Sequence, residues 1–235
     1  MKVIGLIGGM SWESSTEYYR IINETVKARL GGLHSAKILL YSFDFHEVAL
    51  LQHAGRWQDA TEFMCEAARC IERGGADCLV ICTNTMHKMA EEVQQAVSIP
   101  LLHIADATAA EIKKTGVGKV ALLGTQYTME EDFYKGRLAE HHGLEVMIPA
   151  EMDRNIINEV IYNELCLGKV QEESKNQFSR IIKDLAAQGA EGVILGCTEI
   201  SLLIRQKDTV LPLFDTTAIH AKAAVEFALK TTDNT

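Results

Sequence analysis

The chain has 235 residues, 47% of them hydrophobic, enough for one large domain or two smaller ones with cores of their own. A formal net charge of −9, with no run of Lys and Arg, excludes a surface built to neutralise nucleic acid phosphates. An anionic ligand would be repelled by the global field, so local amides or single cations would have to attract it.

The opening apolar run, Val3 to Ile7, is too short for a signal peptide and leads into Met10, Ser11 and Trp12 with no cleavage-like site. No stretch of about 18 apolar residues is present to span a membrane. Six cysteines without an export signal read as reduced thiols, and a cytoplasmic protein is expected. Further short runs rich in Val, Ile and Leu follow at 38–41, 78–82, 101–104, 120–123, 145–148, 192–195 and 211–214. Each is too short for a helix and too continuous for a half-exposed strand. Between them, 60–73, 86–96, 155–167 and 175–188 carry helical spacing. Alternating strands and helices predict α/β architecture with parallel sheets covered on both faces.

The runs recur. GADCLVICTNT at 75–85 matches GAEGVILGCTE at 189–199, IGLIG at 4–8 matches VALLG at 120–124, and IPLL at 99–102 matches LPLF at 211–214. The offsets between copies are 114, 116 and 112 residues, too nearly constant for chance and too long for a solenoid repeat. Two duplicated α/β domains related by a pseudo-twofold axis are expected, with the ligand in the cleft between them. We place the first at 1–103 plus 211–235 and the second at 104–210.

In parallel sheets, ligands bind beyond the carboxyl ends of the strands, where the loops converge. Gly8 and Gly9, Thr83 to Thr85, Thr125, and Cys197 with Thr198 all fall at such ends. The copies differ there in chemistry, since Thr83 aligns with Cys197 and Thr85 with Glu199. A thiol at a strand mouth can be tuned toward thiolate by loop amides, so Cys197 is a candidate nucleophile or base. The other cysteines, at 65, 70, 78, 82 and 166, lie within strand or helix patterns and read as small apolar residues. Thr83, Asn84 and Thr85 offer hydroxyls and an amide for a carboxylate or ammonium, and they cap helices equally well. Thr125 carries the same two readings. The Gly8–Gly9 loop lacks both GxGxxG spacing and a Walker lysine, which argues against a nucleotide. Cys78, Cys82 and His87 have no metal-ligand spacing, so no metal is expected. His103 reads as a core histidine.

Three motifs in order, GGMSWESST at 8–16, TNTMH at 83–87 and GCTE at 196–199, make the chain resemble the aspartate/glutamate racemase superfamily over essentially its whole length. The resemblance implies a cofactor-independent enzyme, a homodimer, and one cysteine from each domain acting on opposite faces of an amino acid. Those roles fall on residues 83 and 197, so the first position departs from the family by holding Thr83. An alkoxide is far harder to form than a thiolate. In the family the second-half cysteine handles the L enantiomer, so the resemblance implies that Cys197 deprotonates L-aspartate or L-glutamate, with Thr83 on the opposite face. The amides near Gly9 and Met10, with Asn84, Thr85 and Thr198, are expected around the α-carboxylate, and Thr125 is expected among the substrate-binding residues. Gln52, placed in the loop after the second strand, is assigned to the distal carboxylate, with Lys169 as another candidate. Glu164, placed on a second-domain helix, is assigned to the ammonium. The alternatives are a superfamily decarboxylase using Cys197 alone and a non-catalytic amino-acid binding protein.

Overall fold

The computed structural model describes residues 1–230. Strands β1 (Val3–Gly8), β2 (Lys37–Ser42) and β3 (Cys78–Ile81) form a parallel sheet in the order β2-β1-β3. Strands β4 (Lys119–Gly124), β5 (Glu145–Met147), β6 (Gly192–Gly196) and β7 (Leu213–Asp215) form a second parallel sheet in the order β5-β4-β6-β7. The chain divides into two compact units, Met1–Ile104 with the segment from His220 onward, and Ala105–Ile219.

Strands β3 and β6, which carry the repeated apolar runs, are buried along their length, so those runs are continuous rather than alternating. In the first unit, side chains alternate across the sheet. Ile4, Leu6 and Val80 pack against Tyr18, Ile22 and Val26 of the helix Trp12–Leu30 and against Ala221, Ala224 and Val225. Ile7, Leu79 and Ile81 face the other layer, where the helix Trp57–Arg73 buries Met64, Ala67, Ala68 and Ile71 on one stripe. In the second unit, Leu123, Val193 and Leu195 lie in one core with Phe178, Ile181 and Ile182 of the helix Glu172–Ala187.

The duplication is visible at the level of single hydrogen bonds. The Leu79 amide donates to the Pro100 carbonyl at 2.9 Å, and the matching Val193 amide donates to the Pro212 carbonyl at 2.9 Å. The acid at the tip of each repeated turn has one job in both copies. Asp77 Oδ2 accepts the Val3 amide at 2.6 Å, and Glu191 Oε2 accepts the amides of Gly118 and Lys119 at 2.9 and 3.1 Å. Each carboxylate thereby satisfies donors at the start of the neighbouring strand.

Two expectations are corrected. Residues 101–104 form no strand: Leu101 makes a single parallel bridge to Leu79, and Ile104 already opens the helix Ile104–Thr115. Pro100 brings no amide hydrogen, and only two residues separate that bridge from the helix. The segment 211–219, expected with the first domain, belongs to the second unit, because β7 pairs with β6 through Val193–Leu213, Ile194–Phe214 and Leu195–Asp215. The helix Thr216–Leu229 starts in the second unit and continues in the first, while Ile104–Thr115 starts in the first and continues in the second.

Candidate active site

Strand β6 ends at Gly196, where an added Cβ would lie 2.9 Å from the Leu123 carbonyl oxygen; this close approach of backbone lets the chain turn at once into Cys197. Cys197 is half-buried and Glu199 is buried. The thiol donates to Glu199 Oε2 at 3.0 Å. Burial, then the negative charge of Glu199, then the neighbouring Cys166 push the Cys197 thiol well above its ordinary range. The expectation of a resting thiol tuned toward thiolate is therefore corrected: the loop supplies one helpful amide, from Glu199, but burial and the adjacent carboxylate outweigh it. Thr198, half-exposed, accepts the Ser201 hydroxyl on its carbonyl at 2.9 Å.

The matching loop of the first unit leaves β3 at Thr83, which is half-exposed, and passes through buried Asn84 into a 3-10 turn, Thr85–Met89. The Thr83 carbonyl lies 2.8 Å from His87 Nδ1. Gln52 is not in a loop. It lies on the helix Phe45–His53, whose N-cap Asp44 accepts the His46 amide, and its side chain is buried with Nε2 3.1 Å from Met86 Sδ. The apolar periodicity of Phe45, Val48 and Leu51 carries the helix through a segment read as loop, with Gln52 buried beside it.

The Gly8-to-Ser11 turn is strained. Gly9 sits at φ +83°, with a Cβ there 2.3 Å from the Phe43 backbone, and Ser11 has φ +124° while its side chain caps the helix Trp12–Leu30 through the Ser14 amide. Such strain persists where the surroundings over-determine it, often at ligand sites. The Gly9 amide is occupied by Ser15 Oγ at 2.8 Å, which removes it from the donors expected for a carboxylate. Met10 is buried in the core of the first unit. Thr125 adopts the helix-cap reading: its Oγ1 accepts from the Thr128 amide at 3.4 Å at the head of the helix Gln126–Glu130. Glu164 follows the last residue of the helix Glu151–Asn163 instead of lying on it, and its carboxylate accepts the Ser174 hydroxyl at 2.6 Å.

The chemistry available is thus one thiol held by a carboxylate at the end of β6 and one hydroxyl at the equivalent end of β3. Residues 7–224 match the family model described as Asp/Glu/Hydantoin racemase. The chain belongs to this family. As a racemase it is an isomerase acting at a stereocentre. It is 57% identical, with a TM-score of 0.93, to a Yersinia pestis protein provisionally assigned as an Asp/Glu racemase, covering 98% of this chain and 100% of that one. It is 38% identical, with a TM-score of 0.85, to an aspartate racemase homologue from Pyrococcus horikoshii OT3, again over 98% and 100% of the two chains. It is 23% identical to the broad specificity amino-acid racemase RacX of Bacillus subtilis over 95% of this chain and 96% of that one.

Sequence reasoning missed three groups around the racemase thiol. Glu199 was visible as the residue opposite Thr85, yet only the structure shows its carboxylate receiving the Cys197 proton donor. Tyr162 is raised in pKa by burial and then by Cys197, Cys166, Tyr127 and Glu199, which places those acidic groups in one neighbourhood. No sequence signal marks Tyr162 or Tyr127. Among the described residues, no group of three or more His, Cys, Asp or Glu could hold a metal ion, and no helix is long and apolar enough to cross a membrane.

Proposed function

We propose that the protein racemises an acidic amino acid, aspartate or glutamate, without a cofactor, Cys197 removing the Cα proton of the L enantiomer and Thr83 returning one to the opposite face. The observation that carries the reading is the Cys197–Glu199 pair at 3.0 Å, a thiol with a built-in acceptor at the mouth of a central strand. Family membership and whole-length similarity to racemases support the reaction class.

The pair also suggests when the base forms. A thiolate beside Glu199 would place two negative charges together, so the thiol keeps its proton until a positive charge joins them. The α-ammonium of a bound amino acid brings a positive charge to the same neighbourhood and stabilises the thiolate, so the base is generated on substrate binding. After the Cα proton is taken, the planar carbanion accepts a proton either from Cys197, giving back the L enantiomer, or from Thr83, giving the D enantiomer. Thr83 is a poor base, so the reverse reaction is slow when saturated with D substrate. The two enantiomers have equal free energy in water, which forces kcat/KM to be the same in both directions.

Cys197→Ser tests the assignment. Calorimetry with L- and D-aspartate and L- and D-glutamate, alongside chiral and decarboxylation analysis of products, separates the classes. We expect binding to persist while inversion falls by roughly 10²-fold or more, the scale of a general acid–base contribution. Inversion that survives the substitution would overturn the role of Cys197, and a decarboxylated product in the unaltered enzyme would overturn the reaction.

A further inference from the structure

Within the first unit, His87 is buried and bonded from both ring nitrogens. The Ile104 amide lies 3.2 Å from Nε2 and can only donate, so Nε2 is the acceptor and the proton sits on Nδ1. Nδ1–H then donates to the Thr83 carbonyl at 2.8 Å. Adding a proton at Nε2 would set donor against donor, so the geometry selects the neutral Nδ1–H tautomer.

The far end of this link is itself fixed. The Leu102 amide donates to the Leu79 carbonyl at 2.9 Å, and the Leu102 carbonyl accepts His220 Nε2–H at 2.6 Å. His220 Nδ1 in turn accepts the Tyr18 hydroxyl at 2.9 Å, and the His87 ring packs on His103 and His220 with centroids 4.6 and 5.6 Å away. Residues 102–104 are therefore held by two histidines and by β3, and His87 transmits that fixity to Thr83. The duplicated half has no such device. Position 201, which matches 87 at the 114-residue offset, is a serine whose hydroxyl reaches only the Thr198 carbonyl, and the Cys197 carbonyl is held by the Ile200 amide at 3.2 Å.

We infer that His87 is a positioning residue, which fixes the backbone at Thr83 through Nδ1–H and anchors it to Ile104 through Nε2. The inference rests on the proposed role of Thr83 in returning a proton to the face opposite Cys197. A hydroxyl, unlike a thiol, is a weak partner in proton transfer and depends on placement, and misplacement of about 1 Å costs on the order of 10²-fold.

Two substitutions divide the imidazole. His87→Asn retains a donor near the position of Nδ1 and lacks reach to Ile104; His87→Gln retains an acceptor near the position of Nε2 and does not donate to Thr83. In deuterated water, with L-aspartate and L-glutamate, loss of the α-proton reports Cys197 and appearance of D product reports Thr83. We expect His87→Gln to lower D product per exchange event by at least tenfold with the L exchange rate retained, and His87→Asn to stay within about threefold of the unaltered ratio. Parallel loss of exchange and inversion in both variants, with an active parent enzyme, would overturn this inference alone and leave the racemase reading standing. A parent enzyme showing no exchange with either amino acid would remove the reaction and this inference with it. Imidazole ¹⁵N NMR of the unaltered protein gives a readout that needs neither variant to fold: an Nδ1-protonated, Nε2-bare ring for His87 supports the link, and an Nε2-protonated or doubly protonated ring at neutral pH overturns it.

Discussion

Replacing Glu199 by Gln removes a negative charge from beside Cys197 and leaves a side chain of the same shape. Sγ and Oε2 are 3.0 Å apart, and Glu199 is 6% exposed. Two unit charges about 4 Å apart repel by about 4 kcal/mol at an effective dielectric near 20. Cys197 is half-buried and the Glu199 amide partly offsets the repulsion, so we take about half, ~2 kcal/mol, which is roughly thirtyfold in the thiolate fraction below the thiol's pKa. Exchanging the charged acceptor for a neutral amide acts in the same direction, because the hydrogen bond to the carboxylate stabilises the protonated thiol. The assay is alkylation by iodoacetamide across pH, read at Cys197 by peptide mass spectrometry so that the half-buried Cys70, in the other unit, serves as an internal reference. In the unaltered protein Cys197 should react slowly at neutral pH and accelerate only in the alkaline range. In Glu199→Gln the acceleration should begin at lower pH, with Cys197 reacting at least tenfold faster at neutral pH and Cys70 unchanged. An unchanged or slower Cys197 would refute the argument that the carboxylate holds the thiol protonated.

Other expectations follow from the same structure. Burial pushes Cys78 up to about 11 and Cys82 higher still, so each folded thiol keeps its proton where an unfolded one, ionising near 8.5, does not; stability should be intact below about pH 8.5 and fall as pH rises toward 11 in urea titrations. Burial lowers His220 to about 4, so its contribution is intact above about pH 6.5 and lost as pH falls toward 4; His220→Gln should flatten that part of the acid limb, and an unchanged slope there would contradict the assignment. Gly9→Ala forces a Cβ to within 2.3 Å of the Phe43 backbone at φ +83° and should cost roughly 3 kcal/mol by denaturant titration, with a cost under about 1 kcal/mol meaning that the turn relaxes freely.

The sheets were legible because a buried parallel strand leaves an unbroken apolar run, and both copies of the run were present to check one another. The repeat also located Thr83 and Cys197 at equivalent strand ends, since only chain order is needed for that. Residues 101–104 misled because Leu101 to Ile104 is as apolar as β7, yet a single bridge is all it contributes before the helix opens. Gln52 was misplaced because its helix is only nine residues long and buries few apolar positions. The protonation of Cys197 was read with the wrong sign because sequence shows a strand mouth and not the direction of the Glu199 carboxylate, and Glu164 was read as facing substrate because Ser174 lies ten residues on, beyond any local pattern.

The central claim, that Cys197 takes the Cα proton of an acidic L-amino acid and Thr83 returns one to the other face, is tested most directly by proton NMR in deuterated water. L- and D-aspartate and L- and D-glutamate are each incubated with the reduced protein, and every sample is resolved into enantiomers. The account predicts rapid loss of the α-proton from an L enantiomer with slower appearance of its deuterated D counterpart. No exchange with any of the four, in protein shown to be folded, would contradict it.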